Sequence, residues 1–292
     1  MTIRQIQSIT TSRPTLEGAG VHLRRAFGFG NTADYDPFLL LDDFRGDDPA
    51  MFKAGFPWHP HRGIETITYM LEGTVEHQDS LGNKGIIGPG DVQWMTAGSG
   101  IIHQEMPLPG KDGRMGGFQL WANLPANQKM MEPRYRDVRA NEIPEVALPG
   151  GGCARVIAGV AEGVKGPVGE LVILPEYLDI RLPAGARFQH TIPEDHHSAC
   201  YIIDGYGDFS PDDPRQAGNH DLVLYGKGTE MQVQAGVNGV RFLLINGKPL
   251  GEPIAWYGPI VMNTQEEIQL AMRELRNDTF IKNGGKQWRE NQ

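Results

Sequence analysis

Two short stretches constrain this chain most: Phe56-Pro57-Trp58-His59-Pro60-His61-Arg62-Gly63-Ile64-Glu65 and Gly98-Ser99-Gly100-Ile101-Ile102-His103-Gln104-Glu105. Each sets two metal-binding side chains one residue apart, His59 with His61 and His103 with Glu105. In an extended strand residues i and i+2 share a face. Pro57 and Pro60 exclude a helix around the first pair, so the same-face argument holds there. Two such pairs on neighbouring strands put three imidazoles and one carboxylate into one small volume, a shell for a transition metal with positions left open. The bland alternative is histidines paired with carboxylates at the surface or in the core. A single His-x-His carries little weight. Here the format repeats, each pair being extended and bordered by Gly or Pro turns.

The rest of the pattern is β. Val21–Phe27 alternates apolar and polar residues as a half-buried strand does, and Phe38–Leu41 is a short buried run. Asp42–Pro49 reads as an acidic loop, either a solvated turn or the lining of a mouth. Thr66–Leu71, Thr74–His77, Val92–Met95 and Gly116–Leu124 follow as strands. The turns between them draw on a high content of glycine (38) and proline (21), and such punctuation favours a sandwich or barrel over helices. Residues 128–149 are polar and broken by proline, which reads as a connection. Strands resume at Ala154–Gly159, Leu171–Leu174 and Leu178–Leu182. Tyr69-Met70-Leu71-Glu72-Gly73 returns as Tyr201-Ile202-Ile203-Asp204-Gly205, roughly 130 residues on, a mark of a duplicated β domain. At that offset His59 and His61 fall on Thr191 and Pro193, so the second copy lacks the first ligand pair. The expected division is residues 1–132, bearing the metal site, and 133–292, without one. Near the end Thr264 and Glu267 form a capping box, and Ile268, Ala271, Met272 and Leu275 make the apolar stripe of a helix.

A net charge of −9 disfavours direct contact with nucleic acid. No apolar stretch approaches the roughly 20 residues of a membrane span, and the first residues lack the apolar core of a signal peptide. The expected home is the cytoplasm, where Cys153 and Cys200 would be reduced thiols.

The motif His59-x-His61-xxx-Glu65, with Gly73 beyond it and Gly98-x-Gly100-xx-His103 after that, resembles the two motifs of the cupin superfamily. It departs from the general pattern in the spacing before Gly73 and in having Gly98 where proline is usual. Those departures are shared by the pirin family. Phe56–Thr66, Trp94–Pro107 and the tail Glu252–Thr264 all resemble pirin, so the likeness spans nearly the whole chain. It implies an all-β bicupin of two face-to-face β-sandwich barrels with a short C-terminal helix, the metal lying only in the first. It carries the ligand roles onto His59, His61, His103 and Glu105 and takes Glu65 out of the set. Fe(II) suits these ligands, and Mn, Co, Ni, Cu or Zn could take the same place.

Two activities follow from the resemblance. Pirin-like proteins are similar in site and activity to quercetin 2,3-dioxygenases, which open a flavonol with O2 and release carbon monoxide. Glu105 would then be the base for the flavonol hydroxyl, and Phe56 and Met95, beside the ligand pairs, would line a pocket for a planar substrate or else be ordinary core. The alternative is a non-catalytic iron-bound regulator that binds a transcription factor or a metabolic enzyme, which the acidic balance permits.

Overall fold

A computed structural model of the chain describes residues 2–169, 171–213 and 215–282. The described fold is all-β, as expected, and divides into two compact units. The unit that carries the histidines comprises, among the described residues, 14–30, 38–140 and 250–282. It is built from two large sheets and a small hairpin, Ala255–Tyr257 with Ile260–Met262. Seven strands run in the order Arg134–Val138, Val92–Thr96, Ile64–Glu72, Gly116–Asn123, Phe38–Asp43, Val21–Phe27 and Arg13–Glu17. Four more run Phe56–His61, Ile101–Leu108, Thr74–Asp79 and Lys84–Ile87. The β-branched residues of Ile64–Glu72 suit a central strand, and its first seven residues are buried. The second unit holds residues 1–13, 31–37 and 141–249. Its nine-stranded sheet includes Glu176–Leu182, His197–Asp208 and the long Glu230–Gly247. Its core gathers Val156, Leu178, Ile202, Phe209, Val223 and Phe242.

The linear division expected at residue 132 differs from these units, which interleave along the chain. Ile6–Thr11 pairs antiparallel with Asp221–Tyr225, far away in sequence. The C-terminal helix, Gln265–Arg276, buries Ile268 and Ala271 in a cluster with Ile102, Ile260 and Phe280 of the histidine unit. Its capping box forms as read, the Thr264 hydroxyl accepting from the Glu267 backbone.

Three expectations are corrected. The polar stretch 128–149 is more than a connection, for Arg134–Val138 pairs with Val92–Thr96 and Glu145–Ala147 with Cys153–Ala158. Both lie at sheet edges, where one face meets solvent and polar residues are tolerated. Leu171–Leu174 is not a strand: Leu174 is 82% exposed, and Pro175 has no N–H to offer a ladder. The acidic loop begins later than its composition indicates. Asp42 and Asp43 are buried strand residues paired with Arg25 and Arg45.

Gly63 ends the first histidine strand at φ +79°, and a Cβ there would collide with the Val261 carbonyl oxygen. Gly82 has a similar φ, +92°, but open space around it. Gly82→Ala should therefore cost only the conformational term, about 1 kcal/mol, whereas Gly63→Ala adds a clash with backbone and should cost at least about 3 kcal/mol. Denaturant titration of the two variants would read the difference, and equal losses would contradict the close approach.

Candidate metal centre

His59 and His61 stand two apart on Phe56–His61, and the antiparallel partner strand Ile101–Leu108 sets His103 directly opposite His59. The ligand nitrogens of these three histidines all lie within 4.8 Å of one another. His59 Nδ1 lies 2.9 Å from the Pro57 carbonyl oxygen, and His61 Nδ1 lies 3.2 Å from that of Pro259. A carbonyl only accepts, so each Nδ1 carries the proton and each Nε2 presents a lone pair. Yet the two Nε2 atoms are 3.1 Å apart. Lone pairs at that distance repel unless a cation lies between them. The separation falls within the roughly 3.0–3.4 Å edge expected, from right-angle to tetrahedral geometry, when two imidazoles share an ion at about 2.1 Å. His103 Nε2 is buried without a hydrogen-bond partner, which leaves it free for the same ion. Burial pushes all three histidines below the ordinary value, His61 and His103 furthest, so each stays neutral and able to ligate. The triad is able to hold a metal ion.

Glu105 shares the inward face with His103 but does not join that tight group. It is buried in register with His77, beyond an irregularity in pairing with the first histidine strand, and its charge acts on His59. Its Oε1 lies 3.2 Å from the Thr68 hydroxyl. Glu65 faces away from the triad and accepts from the Thr96 hydroxyl at 2.7 Å.

Several site residues escaped the sequence reading. His77 Nδ1 lies 3.4 Å from His103 Nδ1, and His77 Nε2 lies 3.5 Å from Asp79, long for a hydrogen bond. With His103 Nε2 left for the ion, the proton on its Nδ1 points at His77, a partner that orients the ligand ring. His77-x-Asp79 is itself an i, i+2 pair on a strand, so the periodicity that found the other pairs could have found it. Arg62 and Lys129 left no such trace. The buried Arg62 guanidinium donates to the Ser99 and Phe280 carbonyls and pairs with Glu274 at 2.8 Å. Lys129, which burial holds down at about 8, donates to the carbonyls of Gly63 and Val261 and to Asn123. Both side chains pin the backbone beside His61 to the C-terminal segment.

His59 and His61 line a cavity of about 740 Å³ between the two sheets, with His103 buried behind them. One wall is aromatic: Trp121 meets His61 edge-on at 5.1 Å, Trp256 lies 5.9 Å from Trp121, and the exposed Phe29 lies 5.7 Å from Trp256. Another is polar, since Arg25, Asp42, Gln119 and Thr68 are successive cross-strand neighbours and all four line the cavity. Arg25 holds Asp42 through two hydrogen bonds and also pairs with Glu17. Burial nevertheless pushes Asp42 up to about 6. Phe56 lines the cavity. Met95 does not: it is wholly buried in a cluster with Ile64, Ala97, Ile101 and Val261, and the tail residue Val261 helps close it off.

Residues 20–122 match the pirin family model, and residues 177–281 match the model of the pirin C-terminal cupin domain. A Homo sapiens protein named pirin is 43% identical, over 94% of this chain and 91% of its own length. A Pseudomonas aeruginosa protein, provisionally named a quercetin 2,3-dioxygenase, is 42% identical over 94% of this chain and 97% of its own. The crystal structure of an Acinetobacter baumannii quercetin 2,3-dioxygenase superposes with a TM-score of 0.86 at 31% identity, covering 97% of this chain and 99% of that one. No helix among the described residues is long and apolar enough to cross a membrane.

Neutral buried histidines have a cost in acid. An unfolded histidine titrates near ~6.5, above His61 and His103 in the folded apoprotein, so the unfolded state binds more protons just below that pH. Stability of the metal-free protein should therefore fall as pH drops from about 7 to 5. His61→Asn should make that fall shallower. Thermal midpoints of the two apoproteins across this range would show it, and parallel pH profiles would refute it.

Proposed function

The chain belongs to the pirin family, and on that premise we propose that it is a metal-dependent dioxygenase that opens quercetin or a related flavonol with O2 and releases carbon monoxide. The observation that carries the reading is the convergence of three imidazoles, two of which, His59 and His61, lie on the wall of an open cavity with an aromatic side. His59, His61, His103 and Glu105 are assigned as the ligands and Fe(II) as the ion, with Mn, Co, Ni, Cu or Zn suited to the same set. The ion supplies Lewis acidity at the flavonol oxygen and redox chemistry for dioxygen.

The chain's own residues bind, orient and deprotonate. Trp121 and Trp256 offer faces for a flat ring system, with Phe56 on the same cavity. Asp42 sits two strands from Thr68 along the polar row, about 10 Å away. With Arg25 and Glu17 it makes a group of net charge −1, which accepts hydrogen bonds from phenolic hydroxyls and repels anions. A polyphenol with one oxygen at the histidines would present its far hydroxyl there. Glu105 takes the proton of the flavonol 3-hydroxyl. Dioxygen then adds across C2 and C4, the C2–C3 and C3–C4 bonds break, and C3 departs as carbon monoxide. Both oxygen atoms of O2 stay in the opened product.

Protein reloaded anaerobically with Fe(II) should bleach the visible absorbance of quercetin on admission of air and consume O2 as carbon monoxide appears. Absence of turnover with all six metals would leave the second reading, a metal-dependent interaction protein. Glu105→Gln, with metal still bound, should lose at least about 100-fold in kcat. A fully active, metal-loaded variant would remove Glu105 as the base.

A further inference from the structure

We infer that Thr68 and Gln119 are positioning residues that hold one oxygen of Glu105 and leave the other to face the histidine triad. This rests on the assignment of Glu105 as a ligand. It starts from a proton count. The Thr68 hydroxyl lies 2.7 Å from Gln119 Oε1 and 3.2 Å from Glu105 Oε1. A hydroxyl has one proton to give, and as placed both partners only accept. The oxygen and nitrogen of a glutamine amide have nearly the same shape, so their assignment follows from the hydrogen bonds they must make. Turning the Gln119 amide over resolves the conflict. Its Nε2 then donates to Thr68 Oγ1, and Thr68 gives its single proton to Glu105 Oε1.

The result is a directed chain, Gln119 to Thr68 to Glu105, that crosses from one sheet to the other. Thr68 is buried on the central strand, Gln119 is its cross-strand neighbour, and Glu105 reaches in from the facing sheet. Packing alone does not call for a hydroxyl here, since valine has the same shape and no buried polar atom to satisfy. The chain explains why Glu105 stays near the triad without collapsing onto it: Oε1 is engaged, and Oε2 is the oxygen left for an ion. The reverse direction, with a protonated Glu105 donating to Thr68, would favour the free acid and oppose metal binding. The two directions predict opposite signs.

The test is the affinity for Co(II), measured by competition with a chelator on wild type, Thr68→Val, Thr68→Ser, Glu105→Ala and the Thr68→Val/Glu105→Ala double variant. Thr68→Val should weaken binding about 10- to 100-fold and change the Co(II) ligand-field spectrum. Thr68→Ser keeps the hydroxyl and should bind as wild type does. In the Glu105→Ala background the valine should have no further effect, because its role runs through that carboxylate. Should Thr68→Val fail to fold, Gln119→Leu provides the same readout one step further out, with a smaller loss expected. Unchanged or tighter binding by the folded variant, or a loss that persists without Glu105, would overturn the positioning role. Failure of the wild type to bind Co(II) would instead remove the metal-centre assignment and this inference with it.

Discussion

Two imidazole nitrogens, each with its lone pair turned toward the other at 3.1 Å, are the constraint around which the histidine unit is arranged. Left alone they would rotate apart or take up a proton. Rotation is opposed by the Pro57 and Pro259 carbonyls, which hold the opposite ring nitrogens, and protonation is opposed by burial. The surrounding fold thus holds both nitrogens, unprotonated, where one cation would accept a lone pair from each. The same logic extends outward. Pro259 lies at the turn of the hairpin Ala255–Tyr257 and Ile260–Met262, which Lys129 ties to Gly63 through the Val261 carbonyl, and Arg62 fastens the end of the histidine strand to Phe280 and Glu274. The C-terminal segment is therefore part of the site, although none of its described residues belongs to the histidine cluster.

The cavity joins two kinds of recognition. Its aromatic wall begins at His61 itself, so a flat molecule stacked against Trp121 is already beside the candidate ion. Its polar row is a product of register: one residue from each of four neighbouring strands, all on the inner face, from Arg25 to Thr68. A slip of one residue in any of those strands would turn its member outward and break the row. The arrangement offers flat aromatic surface along one side and hydrogen-bonding groups along the other.

Legibility from sequence followed the range of the interaction. His59 with His61, and His103 with Glu105, could be paired because a strand repeats every two residues, and the Thr264 and Glu267 cap because a helix start is a local event. Phe56 and Met95 looked alike in sequence, each beside a ligand pair. One lines the cavity and the other is sealed under Val261, a residue more than a hundred positions away. Asp42 looked like loop for a similar reason. Its partner Arg25 sits on the neighbouring strand, and only strand pairing shows that a carboxylate there can be buried. Leu171–Leu174 erred the other way, apolar enough for a strand but with no ladder to join.

By itself, then, the sequence determined an all-β chain with a duplicated domain, the identity of three converging imidazoles, and a carboxylate on their strand face, because these depend on spacing within a few residues. Tertiary structure decided which nitrogen of each ring is free, how far Glu105 stands from the triad, and which side chains wall the cavity. Those outcomes depend on carbonyls, hydroxyls and rings brought together from strands distant in the chain, and no local period encodes them.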